Sequence, residues 1–209
     1  MKRGQKVILC VPLGLLLAAC SSEAPKATVE KAEEPAKPPE AVSAQWAFHQ
    51  MYLAARNWAA DAQPLRLVNV ALAEFKSEKG KAGAWQATFV SDSLGRARSY
   101  TYSVVEGPGN LHKGVFAGPQ ESWSGRSGQA KPFPVAAFKV DATAALETAL
   151  KKGAEYAKKH ADMPINFLLE TTPRFADPVW RVIWGESVGT SGFSILVDAT
   201  TGEYKQTLR

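Results

Sequence analysis

The chain has 209 residues, with 25 Lys and Arg against 20 Asp and Glu, a formal net charge of +5 and 45% hydrophobic residues. The basic excess is too small to call for nucleic acid: Lys2, Arg3 and Lys6 precede the first apolar run, and from Gln45 onward 19 basic residues face 15 acidic ones. Both cysteines, Cys10 and Cys20, lie near the start, which leaves the remainder without a disulfide, a Cys nucleophile or a thiolate metal site.

Met1-Lys2-Arg3 opens the chain, and the apolar run from Val7 to Ala19 is broken by Pro12 and Gly14. The run is short of the ~20 residues that cross a bilayer as a helix. A basic start, an apolar centre and small residues before a cut are the parts of an export signal. Leu17-Ala18-Ala19-Cys20 resembles the lipobox of bacterial lipoproteins. That resemblance implies a signal peptide over 1–19, cleavage before Cys20, and lipidation of the Cys20 thiol and the new N-terminus. Three acyl chains would hold the protein on a membrane almost permanently, at about 0.8 kcal/mol per buried CH2. Ser21, where Asp would retain a lipoprotein in the inner membrane, implies the inner leaflet of the outer membrane, facing the periplasm.

Residues 20–44 follow as a tether. Pro25, Pro35, Pro38 and Pro39 stand among Glu, Lys and Ala, with no aromatic residue. Such a segment buries too little apolar surface to order itself. It spans at most roughly 70 Å at ~3.1 Å per residue.

All six tryptophans lie beyond the tether, and three ordered internal matches divide that region. Ala60 to Leu65 resembles His160 to Ile165, and Ala84 to Phe89 resembles Val179 to Trp184. Tyr100, Tyr102 and Val104 alternate as Phe193, Ile195 and Val197 do. These matches predict an α+β fold of two tandem modules, each a helix packed on a small antiparallel β-sheet. Residues 45–134 form the first module with a Gly/Pro-rich connector, and residues 135–209 form the second. The first helix takes Ser43 as its cap, with Phe48, Tyr52, Ala55, Ala59 and Ala62 as its apolar stripe. The second takes Asp141, with Leu146, Ala149, Leu150, Gly153 and Ala157. Pro64 and Pro164 end the helices and force an extended start. Strands are predicted over Leu65 to Phe75, Ala84 to Val90, Ser99 to Val105, Ile165 to Leu169, Val179 to Trp184, Gly192 to Val197 and Glu203 to Leu208. Asp198-Ala199-Thr200-Thr201-Gly202 reads as a hairpin turn with Gly202 at positive φ.

The second copy resembles a PepSY-type domain through its Ala-rich helix after Asp141, Pro178-Val179-Trp180-Arg181-Val182, and Val197-Asp198-Ala199-Thr200-Thr201-Gly202-Glu203. The match runs from Val140 to Leu208. In the first copy, Val105-Glu106-Gly107-Pro108-Gly109 replaces the Asp-Ala-x-Thr-Gly turn. The resemblance implies a non-enzymatic envelope module, with an inhibitory role proposed for some members in metallopeptidase propeptides. It supplies no catalytic residues.

No catalytic pattern emerges independently. His49, His112 and His160 are far apart and lack ligand spacing. Gly109 to Gly114 has Val115 where a phosphate loop needs Lys, and Ser127 lacks the full nucleophile elbow. Trp85 and Trp180 are read as core residues. The connector from Gly107 to Pro134 carries Leu111, Phe116, Trp123 and Phe133 on a backbone too rich in Gly and Pro for a regular element. Long connectors of this kind serve function or stay disordered. These four residues are the candidate protein-binding set, with Trp123 either the leading anchor or a contact between modules. The sequence thus predicts a lipid-anchored, non-catalytic protein that binds or regulates an envelope protein, an assembly factor or, by resemblance, a peptidase. No cofactor, metal or nucleic acid is called for. A carrier or sensor of a small apolar ligand is the alternative, and a hydrolase is a further one.

Overall fold

Ser43 starts the first helix as its sequence position predicts, its hydroxyl accepting from the Trp46 amide at 3.2 Å. The computed structural model describes residues 38–73, 75, 77–109, 111–125 and 130–209. The signal segment, Cys20, most of the tether and Ser127 lie outside them. Helix α1, Ala44–Trp58, buries Ala44, Ala47, Phe48, Met51 and Ala55. This stripe lies further toward the N-terminus than the one read from sequence. Small residues on it let the helix approach the sheet closely. A two-residue strand β1, Val42–Ser43, precedes α1 and pairs with β3, Lys81–Ala82.

The remaining strands of the first half are β2 (Gln63–Val70), β4 (Ala84–Ser91), β5 (Arg96–Ser103) and β6 (Gly114–Ser122). The second half opens with α2 (Ala142–Lys152) and α3 (Ala154–Lys159). It continues through β7 (Ile165–Thr172), β8 (Phe175–Trp184), β9 (Phe193–Asp198) and β10 (Tyr204–Leu208). The Asp198 turn forms as its residue types require. Asp198 Oδ1 accepts from the amides of Thr200 and Thr201, and Gly202 has φ +79°.

Among the described residues, the two separate helix-on-sheet modules do not form. Eight antiparallel strands form one sheet in the order β10-β9-β8-β7-β2-β4-β5-β6, and the molecule is mostly β. The first strand of each half pairs with the other across the middle: Arg66 with Glu170, Leu67 with Leu169 and Val68 with Leu168. Asn69 secures this seam, its Oδ1 accepting the Phe167 amide and its Nδ2 donating to Asn166 Oδ1, both at 2.7 Å. Backbone pairing and amide side chains therefore join what the sequence pattern separates.

Residues of α1, α2 and both halves of the sheet belong to one apolar core. Trp85 and Trp180 are fully buried at its centre, with ring centroids 6.4 Å apart. Trp85 and Trp180 stand in corresponding surroundings within this single sheet. Trp85 Nε1 donates to Val42 O at 3.1 Å, and Trp180 Nε1 donates to Val140 O at 2.7 Å. Each indole thus holds the residue two places before a helix. The third match is displaced by two residues. Tyr102 opposes Trp85 where Val197, not Ile195, opposes Trp180.

Asp141 also departs from its expected part. It occupies the N-cap position of α2, yet its side chain caps nothing there; Oδ1 accepts instead from the Gln45 amide of α1 at 3.0 Å. The Gln45 side chain returns to Lys139 O at 3.0 Å. The second helical segment breaks at Gly153, where the sequence stripe ran on without interruption.

Candidate functional site

The connector read as irregular contains the longest edge strand of the sheet. Strand β6 pairs with β5 on one side and, among the described residues, with nothing on the other. Its glycines and proline are compatible with this place. A sheet edge tolerates a residue without an N–H, and a bulge accommodates local irregularity. Gly118 and Pro119 together face Ser99 between the pairs Tyr100↔Ala117 and Arg98↔Gln120. A Cβ on Gly118 would stand 3.2 Å from Ser99 O, so glycine permits the close approach there.

The candidate residues separate into three places. Leu111 closes the loop before β6, its carbonyl accepting from Gly107 N at 2.8 Å. Phe116 lies on β6, partly exposed, with its ring 4.9 Å from that of His112. Trp123 follows the strand, about 23 Å from Phe116 at ~3.3 Å per residue. Its amide donates to Gly95 O at 2.9 Å and its Nε1 to Asp92 Oδ1 at 3.1 Å. These bonds fix Trp123 to the β4–β5 turn of its own half, so it is not the contact between halves. Trp123 as a whole is half-buried.

Phe133 is the residue that joins the halves. It is 1% exposed and belongs to the core, which removes it from any surface set. Its amide donates to Pro64 O of β2 at 2.9 Å. Two residues earlier, the Lys131 amide donates to Thr171 Oγ1 of β7 at 2.7 Å, and that hydroxyl donates to Lys131 O at 2.6 Å. The connector therefore returns across the seam and plugs it with an aromatic ring.

The β4–β5 turn beside Trp123 is tied down by side-chain hydrogen bonds. Asp61 Oδ1 accepts from Ser91 Oγ at 2.6 Å, and Oδ2 accepts from the Ser93 amide at 2.9 Å. Those hydrogen bonds, led by that of Ser91, lower the Asp61 carboxyl to about 2. At the other end of the sheet, burial opposes ionisation of Asp198. Bonds from Lys205 at 2.9 Å and from the Thr200 and Thr201 amides outweigh it, and its pKa is lowered.

The space between helices and sheet is filled by Phe48, Phe138, Phe167 and the paired tryptophans. This packing opposes an apolar ligand held there. His49 is exposed on α1, His112 lies 3.3 Å from Glu106, and His160 stacks by Tyr156. Among the described residues, no three His, Cys, Asp or Glu side chains gather as a metal site.

A second surface was missed in the sequence: a cleft of about 720 Å³ where α2 and α3 meet the ends of β9 and β10. The paired lysines at the helix ends were visible, but their convergence with Arg209 was not. Among the described residues, no helix is long and apolar enough to cross a membrane.

No family model matches the chain, and no curated protein matches it. The chain is similar to the crystal structure of a "putative lipoprotein" from Clostridium difficile 630, with a TM-score of 0.44 and 11% identity over 77% of this chain and 91% of that one.

Proposed function

We propose that this chain is a lipid-anchored, non-catalytic protein of the bacterial envelope that captures an extended segment of a protein partner along β6. The observation that carries the reading is the side of β6 that is unpaired among the described residues, with Phe116 on the strand and Trp123 at its end. A peptide added at such an edge gains backbone hydrogen bonds, while aromatic side chains at fixed spacing select its sequence. The Gly118–Pro119 bulge limits indiscriminate pairing along the strand and divides the edge into two short recognition segments. Asp92 and Gly95 hold Trp123 in place, which lowers the entropy lost when a partner orders it. The lipobox resemblance at Leu17 to Cys20 supports the anchor, and Ser21 supports the outer membrane. The PepSY-type resemblance supports regulation of a peptidase or an assembly factor.

Two experiments test this reading. Cys20→Ser is expected to leave unprocessed precursor without acyl label; normal labelling overturns the anchor. A photo-crosslinking side chain at Val115, 39% exposed on β6, is expected to capture a partner in intact envelopes. Trp123→Ala should weaken that capture without changing the melting temperature. Equal capture from Leu150 on α2, or capture that survives Trp123→Ala, overturns the edge as the recognition surface.

A further inference from the structure

The halves differ most where the second helical segment breaks. Helix α1 runs unbroken for 15 residues, whereas α2 stops at Lys152 and α3 begins at Ala154. A Cβ on Gly153 would lie 2.9 Å from Ile195 Cδ1 and 3.2 Å from Phe193 Cε1, so the backbone rests directly on β9. In the first half, the strand register places Arg98 where Phe193 stands in the second. Arg98 turns back onto its own sheet, donating to Gly118 O at 2.9 Å. Phe193 instead stacks on Tyr156 of α3, with centroids 4.0 Å apart, and a cleft remains beside the pair.

Three elements send cations to this cleft. Lys151 and Lys152 come from the end of α2, Lys159 from the end of α3, and Arg209 from beyond β10. The helix macrodipole accounts for cations at helix ends, but it does not account for Arg209 on the opposing wall. Glu155 is the side-chain carboxylate in the lining, and no ion pair forms with Lys151, Lys152, Lys159 or Arg209 among the described residues. Lys152 Nζ lies 5.3 Å from the centre of the Tyr204 ring. Like charges gathered around a concave wall focus a positive potential, and ammonium groups act as point charges toward phosphate. The volume is that of a small-molecule site.

We propose that this cleft binds an anionic phosphate ligand of headgroup size. The ligand is recognised by Lys151, Lys152, Lys159 and Arg209 over the stacked Tyr156–Phe193 pair. The proposal is independent of the β6 edge. The phosphate could be carried by an anionic lipid or be free in solution, and two arms separate those sources.

The Pro38–Arg209 unit contains every core residue among those described and is the form to use. One arm measures its sedimentation with phosphatidylcholine vesicles, with and without phosphatidylglycerol. The other measures pyrophosphate binding by calorimetry. Binding to phosphatidylglycerol vesicles alone assigns a lipid source, and pyrophosphate binding assigns a soluble one. In the arm that binds, each of Lys151→Ala, Lys152→Ala and Lys159→Ala is expected to weaken affinity about fivefold at low salt. A variant with Lys79, Lys113 and Lys139 changed to Glu, all exposed outside the cleft, is expected to retain binding. The proposal is overturned by binding in neither arm, by alanine variants that bind as the parent does, or by equal loss in the control. Melting curves of the single variants separate loss of binding from loss of folding.

Discussion

Asp141 Oδ1 accepts the backbone amide of Gln45 at 3.0 Å, so the residue that begins one helix satisfies an open donor in the first turn of another, 96 residues away. The bond joins two helix N-termini whose dipoles repel, and a carboxylate between them opposes that repulsion. Asp141→Ala is therefore expected to destabilise the protein by about 1–2 kcal/mol, as loss of a helix cap does. Asp141→Asn should retain most of the bond. Denaturant unfolding checks both, and equal losses would show that acceptor geometry does not matter.

Trp85 and Trp180 make equivalent bonds to Val42 O and Val140 O. Replacing either with Phe keeps an aromatic core but leaves a carbonyl without its donor, a cost of about 1–3 kcal/mol. Replacing either with Ala should cost about 3–5 kcal/mol. Because the rings touch, the double variant is expected to depart from the sum of the single ones. A double-mutant cycle by thermal unfolding reads this directly; strict additivity would count against one shared core.

The Asp61 carboxyl, at about 2, is held below its ordinary 3.8. Its contribution to stability is present above the unfolded-state value and is lost as pH falls from about 3.8 toward 2. Asp61→Asn should flatten the stability profile in that window and loosen the turn that carries Trp123. An Asp61 NMR titration midpoint near 4 would contradict the Ser91 and Ser93 bonds.

Phe133→Ala is expected to cost about 3–5 kcal/mol, because it empties a core position at the seam. Trp123→Ala should leave the melting temperature unchanged, since its ring lies at the edge. The reverse order in a melting experiment would exchange the parts assigned to these two aromatics.

Gly153→Ala tests two opposing effects. Alanine favours a helix by about 1 kcal/mol over glycine. Overpacking costs about 1–3 kcal/mol, and the contacts at 2.9 and 3.2 Å involve buried side chains. A net loss of stability is expected; a gain would show that Ile195 and Phe193 yield freely.

Local features of this fold were legible in the sequence, whereas those made by distant partners were not. Ser43 and the Asp198–Gly202 turn are set by side chains bonding to nearby backbone, and their residue types sufficed. The tryptophan strands were readable from alternation. The seam escaped because Asn69 and Asn166 carry no periodic signal and their pairing crosses about a hundred residues. Gly and Pro disguised β6 because an edge strand forgives what a central strand does not. The break at Gly153 was hidden because a small residue continues an apolar stripe as well as it ends one. At the candidate sites, Leu111, Phe116 and Trp123 remain at or near the surface. Phe133 was misjudged because hydrophobicity alone does not say which aromatic folds inward. Arg209 joined the lysines only once β10 was placed.

The seam between β2 and β7 also governs how the chain reaches this state. Within each half the strands are sequential neighbours that need only short loops to pair, whereas the seam must close a loop of about a hundred residues. Hairpins within the halves are therefore expected to form before the seam, which zips late around Val68 and Leu168. Substitutions at Leu67 and Leu169 should accelerate unfolding and leave the folding rate little changed, giving φ-values near zero. The same late step gives two copies an opportunity to exchange halves, because β7 of one chain offers β2 of another the same partner as its own. At high concentration, slow refolding is expected to yield an interlocked dimer that dissociates only on unfolding.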